Sequence, residues 1–395
     1  MKKFICKHPW AHFEVNNPNG DVTMCCDNNT VLGNINDGGL EKVWNGQGYR
    51  KMRRRMCREG AHAFCPLTCP VLNGRKAYQN LDWYKDLDPQ SAAYKNAEIN
   101  ERELAEGKET LQSLPRWMRF TYSYHCNLDC YHCYQRKEAT QNTKLSTSFL
   151  EEIKTHADLF QVIFPFGGEP FLYKPVIDML KNLKTAQGCR FFFVTNATLI
   201  TESTINALRR RNLGLIAVSL DGATEKTFNA LRVRGRKADW GQVLANLQRL
   251  SELKKEKDFQ FTMSMTVNTQ NCNEIEAFVG LVITYDAEPL LMLVSNPYET
   301  HAFQKHYLSF TKEQFSSIAG QIELSLKKVQ GRNMREAEIS LIQLRDQLLR
   351  HRLGENQPWI YMGKTLARRL FRHLPEFAQR QLKSIIQQLR RKALF

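Results

Sequence analysis

The rhythm of hydrophobic positions changes at Pro115. Beyond it, six short apolar runs appear: RWMRFTYSY, LFQVIFPF, CRFFFVTN, LGLIAVSL, FQFTMSMTV and PLLMLVS. Between them lie stretches whose apolar residues recur at helical spacing. These include TSFLEEIKTHADLF, read as opened by a capping box from Ser148 to Glu151, KPVIDMLKNLKTA and ADWGQVLANLQRLSELKK. Six strands separated by helices predict an α/β fold with a parallel sheet, either open and doubly wound or closed into a partial (β/α)6 barrel. Both arrangements place functional residues at the C-terminal ends of the strands.

Four regions follow from the pattern. Residues 1–75 are rich in Asn and Gly, thin in apolar positions and carry one predicted helix around GLEKVWNGQGYRKMRRRM. So small a core needs a metal to fold, because the entropy of ordering outweighs it. Residues 76–114 read as a polar, helix-prone connector, and 115–297 as the α/β core. Residues 298–395 are helical, with TKEQFSSIAGQIELSLKKV and AEISLIQLRDQLLRH ahead of a basic end.

Composition adds little until cysteine and charge are placed on this map. With 42% hydrophobic and 24% charged residues, the chain is that of a folded protein. The opening MKKFICKHPW has no apolar stretch for a secretory signal, and no run approaches the roughly 18 residues of a spanning helix. The expected location is the cytoplasm. There, eleven cysteines point to metal or redox chemistry rather than disulfides.

Six cysteines fall in the first 69 residues (Cys6, Cys25, Cys26, Cys57, Cys65, Cys69), three cluster at Cys126, Cys130 and Cys133, and Cys189 and Cys272 stand apart. Two separate metal sites are the economical reading, with Cys189 and Cys272 as buried small apolar residues. The net charge of +16 is uneven, since the tail from Gly363 holds nine Lys/Arg against the single Glu376. That tail suits an anionic membrane surface, making the protein peripheral there, or nucleic acid or an acidic partner; it equally suits a terminal helix with a solvated charged face. A second basic knot, YRKMRRRMCREG, lies among the early cysteines.

The chemistry-bearing motifs sit at predicted strand ends. YSYHCNLDCYHCYQ, after the first strand, offers three thiolates from one loop and no fourth, which suits zinc completed by a remote ligand or an iron-sulfur cluster. FPFGGEP follows the second strand, and reads as close backbone approach to a small cationic group or as a tight turn into the next helix. TNAT follows the third. SLDGATEKTFNALRVRGR ends the fourth with Ser219 and Asp221, then Arg232 and Arg234; taken alone, its Asp would be a helix cap.

Together these motifs closely resemble the radical SAM superfamily. The resemblance implies a partial TIM-like barrel in which Cys126, Cys130 and Cys133 hold a 4Fe-4S cluster, with His132 where an aromatic is usual. The open iron is then chelated by S-adenosylmethionine. By the same resemblance Gly167, Gly168 and Glu169 hold the methionine amino group. Thr195, Asn196, Ser219 and Asp221 serve the ribose or nearby polar contacts, and Arg232 or Arg234 meets the carboxylate. The activity implied is reductive cleavage to a 5′-deoxyadenosyl radical, which abstracts hydrogen from a substrate, with an electron donor such as flavodoxin or ferredoxin.

The stretch from SLDG to VLANLQRL, and the N-terminal CKHPWAHFEVNNPNGDVTMCC, LGNINDGGLEKVWNGQGYRKMR and CPLTC, resemble the branch with SPASM or twitch auxiliary-cluster domains. Here that module precedes the core instead of following it. An auxiliary 4Fe-4S cluster on Cys6, Cys25, Cys65 and Cys69 is implied, with Cys26 and Cys57 as alternates or packed thiols and a zinc module as the other reading. A peptide or protein substrate is expected within this branch. The alternatives are a radical dehydrogenase or epimerase of a small molecule or sugar, and a noncatalytic, zinc-stabilised nucleic-acid-binding protein.

Overall fold

The computed structural model describes residues 4–26, 28–65, 69, 71–72, 81–133, 135, 143–233, 238–294, 308–332 and 334–352. The basic tail from Gly363 and Arg234 lie outside the described residues. The chain forms two compact units: Met1–Asp129 with Gln135–Ala217 and Gly241–Gln260, and Cys130–Tyr134 with Val218–Trp240 and Phe261–Phe395. The fold is mixed α/β with a parallel sheet, a small N-terminal module and C-terminal helices.

In the first unit β1 (His12–Val15), β2 (Asp21–Cys25) and β3 (Asn28–Asn34) come from the N-terminal module, and β4 (Trp117–Thr121), β5 (Val162–Phe166), β6 (Arg190–Thr195) and the first part of β7 (Asn212–Ser219) from the core. Their order is β3-β2-β1-β4-β5-β6-β7. β1 runs antiparallel to β2 but parallel to β4, with Glu14 opposite Arg119, and β4, β5 and β6 continue in parallel. The N-terminal module therefore holds more than its predicted helix, because its strands extend the core sheet. These short strands escaped the sequence reading because His12 and Glu14 are polar and β3 is interrupted by register shifts against β2.

The alternation along β1 explains its burial on both faces. Phe13 packs against Trp44, Tyr49 and Phe149, with ring centroids 6.0 to 6.3 Å away. On the opposite face His12 stacks on Trp117 at 4.7 Å, and Glu14 pairs with the Arg119 guanidinium, which lies 4.0 Å from the Phe166 ring. Trp83, from the connector, stacks on Trp117 at 5.7 Å and meets Phe192 edge-on. This second face is the apolar cluster of Trp117, Val162, Phe164, Phe192, Leu215 and Ala217.

Two local expectations are corrected. The helix read through GLEKVWNGQGYRKMRRRM is two helices, Gly39–Trp44 and Gln47–Glu59, because Asn45 ends the first and Gly46 is extended. The capping box from Ser148 to Glu151 is not formed: the helix spans Thr147–Thr155 with Ser146 as its cap residue, and Glu151 pairs with Lys154 at 2.7 Å. The basic knot is largely spent within its own unit. Arg53 is fully buried over Trp44 and donates to the Pro9 and Glu109 carbonyls, while Arg54 binds Glu109 and both Arg55 and Arg58 bind Glu59. Burial pushes Arg53 down to about 10.

In the second unit β8 (Gln260–Val267) pairs in parallel with β9 (Glu288–Leu293). Helix Lys312–Gln330 opens on a capping box between Thr311 and Gln314, and helix Arg335–Arg352 follows. Ser340 and Gln347 on this second helix accept the backbone N–H groups of Leu291 and Leu293, both at 2.9 Å. A helix thereby satisfies polar groups that β9 would otherwise leave unpaired. Among the described residues no helix is long and apolar enough to cross a membrane.

Candidate functional site

In the first unit three motifs distant in sequence meet beyond the ends of β4, β5 and β6. Glu169 is fully buried, and its carboxylate accepts from the Thr195 hydroxyl at 2.7 Å, the Asn196 N–H at 2.8 Å and the Phe171 N–H at 3.3 Å. Asn196 turns its Nδ2 toward Cys126 Sγ, 3.7 Å away, and donates to Asn127 Oδ1 at 2.9 Å. Asn127 Nδ2 donates in turn to the Thr198 hydroxyl at 2.7 Å. Glu169 thus orients Asn196, and Asn196 orients the first cysteine of the loop.

Gly167 and Gly168 have φ of +90° and +52°. A Cβ on Gly168 would lie 1.9 Å from the His125 carbonyl oxygen, so only glycine lets this turn rest on the cysteine loop. The contact is reinforced by the Glu169 N–H donating to that carbonyl at 3.2 Å and by the Tyr173 hydroxyl donating to it as well. Burial is the main cause that pushes the Tyr173 phenol up and keeps it a donor. The Gly168 N–H donates to Gln135 Oε1 at 3.0 Å. Asn127 and Gln135 lie within the cysteine motif and Thr198 within TNAT, but the sequence marks no role for them, and Tyr173 lies outside every motif.

Cys126, Cys130 and Cys133 are each half-buried. Cys126 Sγ also accepts from the Leu128 N–H at 3.4 Å. Three thiols from one loop, with N–H groups directed at a sulfur, fit a thiolate-bound iron-sulfur cluster, since such donors stabilise charge on the sulfurs. Among the described residues no three Cys, His, Asp or Glu side chains already stand together as a metal site. Thiols are drawn to one point by the metal they bind.

The second unit holds Ser219, Asp221 and Arg232. Asp221 is 1% exposed and has φ of +57°. Its Oδ2 binds the Arg232 guanidinium and lies 3.2 Å from His132 Nε2, while its Oδ1 accepts the Thr266 N–H at 2.7 Å. Burial opposes ionisation, but Arg232 and then His132 outweigh it, and the carboxyl stays well below its usual range. Ser219 Oγ lies 3.3 Å from Ser264 Oγ, and Asn271 Nδ2 donates to the Asp221 carbonyl at 2.8 Å. Arg232 sits in a π-helical turn, Asn229–Val233.

In the N-terminal module Cys6, Cys25 and Cys69 are buried, Cys65 is half-buried and Cys26 is exposed. Cys57 directs its thiol at the Gly107 carbonyl, 4.0 Å away, and burial followed by Glu109 raises its pKa. Cys189 and Cys272 are buried, and burial pushes the first up to about 12 and the second to about 11.

Comparison with known proteins adds two family matches. The model of the radical SAM superfamily matches residues 120–282, and that of SPASM, an iron-sulfur cluster-binding domain, matches residues 6–70. The chain is similar to the AdoMet-dependent heme synthase of Methanosarcina barkeri, 28% identical over 170 residues that make up 42% of this chain and 46% of that protein. It is also similar to the mycofactocin maturase MftC of Mycolicibacterium smegmatis, 26% identical over 178 residues, 44% of this chain and 43% of the relative. The chain spans about half the length of the curated relatives it matches. Among solved structures, Streptococcus suis SuiB aligns with a TM-score of 0.44 at 17% identity, covering 75% of this chain and 62% of that one.

Proposed function

The chain belongs to the radical SAM superfamily and carries an N-terminal SPASM domain, and from this premise we propose that it reductively cleaves S-adenosylmethionine and abstracts hydrogen from a peptide or protein. The cofactors are a 4Fe-4S cluster, S-adenosylmethionine and an auxiliary iron-sulfur cluster. When bound, they supply the electron and the 5′-deoxyadenosyl radical. The chain's own residues bind, orient and exclude water. Cys126, Cys130 and Cys133 would hold the cluster, with Asn196 and Leu128 directing N–H groups at the first sulfur.

The observation that carries this reading is the Glu169–Asn196–Cys126 chain of hydrogen bonds, which ties GGEP and TNAT to a loop of three thiols. A closed structural zinc site would need a fourth protein ligand, and this loop supplies three thiols. In the SPASM domain Cys6, Cys25, Cys65 and Cys69 are the proposed ligands; Cys57, turned to a carbonyl, and exposed Cys26 suit that role less.

A peptide substrate is supported by the SPASM domain and the likeness to a maturase. A small-molecule substrate is the second reading, favoured by the likeness to a heme synthase. Anaerobically purified protein is expected to be brown, to carry about eight irons on this two-cluster reading and to release 5′-deoxyadenosine from S-adenosylmethionine under reductant. Colourless, zinc-loaded protein that stays inactive after reconstitution would overturn the reading. Release stimulated by a peptide pool, and not by metabolites below peptide size, would select the first substrate class; the reverse would select the second.

A further inference from the structure

The second unit contains an arrangement that neither the family matches nor the relatives assign to a role. Its short segment Cys130–Tyr134 is the part of the cysteine loop that bears Cys130 and Cys133. Two contacts fasten it to the stretch beyond β7. The Tyr131 N–H donates to the Leu231 carbonyl at 2.9 Å, and His132 Nε2 meets Asp221 Oδ2 at 3.2 Å.

Both contacts depend on unusual local backbone. Leu231 and Arg232 lie within the π-helical turn, where widening the helix by one residue displaces carbonyls from their i+4 partners and leaves them for other donors. Asp221 has a left-handed φ of +57°, a conformation that an Asp adopts at some expense and that persists only where its surroundings hold it. Those surroundings are the Arg232 guanidinium, the Thr266 N–H on the first oxygen and the Asn271 amide on the backbone carbonyl. A rigid, charge-compensated carboxylate is a fixed point to which a loop can be tied.

We propose that His132, Asp221 and Arg232 are positioning residues, which together with the Leu231 carbonyl pin the segment bearing Cys130 and Cys133 so that both thiols are presented to the cluster in one register. The inference rests on the assignment of those two cysteines as cluster ligands. Asp221, with both oxygens engaged by Arg232, His132 and the Thr266 N–H, and Arg232, with its charge given to Asp221, then support the loop in place of the ribose and carboxylate contacts that the resemblance implies. His132 occupies the place where the superfamily usually carries an aromatic, and the carboxylate opposite it is the reason an imidazole works there.

The test uses the anaerobically reconstituted full chain and two readouts. One is the rate of iron loss to a chelator, and the other is the change that S-adenosylmethionine produces in the electron paramagnetic resonance spectrum of the reduced protein. His132→Ala should lose iron about tenfold faster, the scale of one charge-assisted hydrogen bond, and should lose or broaden the cofactor-induced change. His132→Gln, which keeps an N–H donor, should lie nearer the wild type than the Ala variant in both. The paired variant Asp221→Asn/Arg232→Gln should accelerate iron loss about as much as His132→Ala, while its affinity for S-adenosylmethionine falls less than about threefold, since lost positioning accounts for both effects.

An Ala variant indistinguishable from the wild type, or a Gln variant as defective as Ala, would overturn the positioning role. A paired variant that retains its iron and loses cofactor affinity tenfold or more would assign Arg232 to the carboxylate instead. A wild-type protein with no cofactor-induced spectral change would remove the premise, the radical SAM reading itself, and so is distinguishable from failure of the inference.

Discussion

Two buried carboxylates, Glu169 in the first unit and Asp221 in the second, occupy comparable places just beyond strand ends, yet they are held by different physics. Glu169 is oriented by a hydroxyl and two backbone N–H groups, all neutral donors. Asp221 is oriented by a guanidinium, an imidazole and one backbone N–H. A neutral donor to a carboxylate contributes about 1.5–3 kcal/mol and fixes its direction without adding a countercharge of its own. A guanidinium cancels that charge and makes each partner depend on the other. The first arrangement orients a carboxylate through dipoles, and the second makes it one half of a charged anchor.

The comparison can be broken at several points. The largest effect is expected at Asp221→Asn, which removes the carboxylate charge paired with the buried Arg232 guanidinium and should destabilise the second unit by about 3–5 kcal/mol, read from the denaturant midpoint. Glu169→Gln sets an amide against a hydroxyl and two N–H donors, and about 1–3 kcal/mol is expected. Equal losses in the two variants would erase the distinction.

Gly168→Ala should cost about 1–3 kcal/mol for the left-handed backbone, with a further loss from displacing the His125 carbonyl. Its signature is a loosened cysteine loop, seen as lower iron content, with the N-terminal cluster retained. Replacing Cys65 and Cys69 by Ala should do the opposite, removing about half of the iron while sparing some uncoupled cofactor cleavage. Unchanged iron in that variant would refute the auxiliary cluster.

The smallest expected effect concerns pH. Burial first, then His8, Arg116 and Arg119, hold His12 well below the usual histidine range. The folded state keeps it neutral where the unfolded chain protonates it, so stability is full above about pH 6.5 and declines as pH falls below that value. The slope approaches 1.4 kcal/mol per unit at about its steepest. His12→Phe, which keeps the ring stacked on Trp117, should flatten the profile between pH 7 and pH 5. A profile as steep as the wild type's would assign the acid sensitivity to another group.

Much of the core was legible because its signals are local. All six apolar runs after Pro115 became strands, and GGEP and the cysteine spacing announced themselves through glycine and thiol chemistry. The N-terminal strands were not legible. A four-residue strand whose alternate positions are His12 and Glu14 looks polar in isolation, and it is buried only because Trp117 and Arg119 lie opposite. Arg53 is hidden in the same way: nothing in a run of arginines marks the one that lies over Trp44 with backbone carbonyls as acceptors.

By itself, the sequence determined the alternation of strand and helix, the three-thiol loop and the presence of a second cysteine-bearing module. These are matters of period, spacing and side-chain chemistry, which every residue carries wherever it is placed. Only the tertiary structure decided that the N-terminal strands extend the core sheet, that Glu169 acts on Cys126 through Asn196, and that Arg232 is committed to Asp221. Each of the three is a pairing between distant positions. Whether a charge is free or compensated, and whether a polar residue is buried, is a property of the partner that folding brings, not of the residue alone.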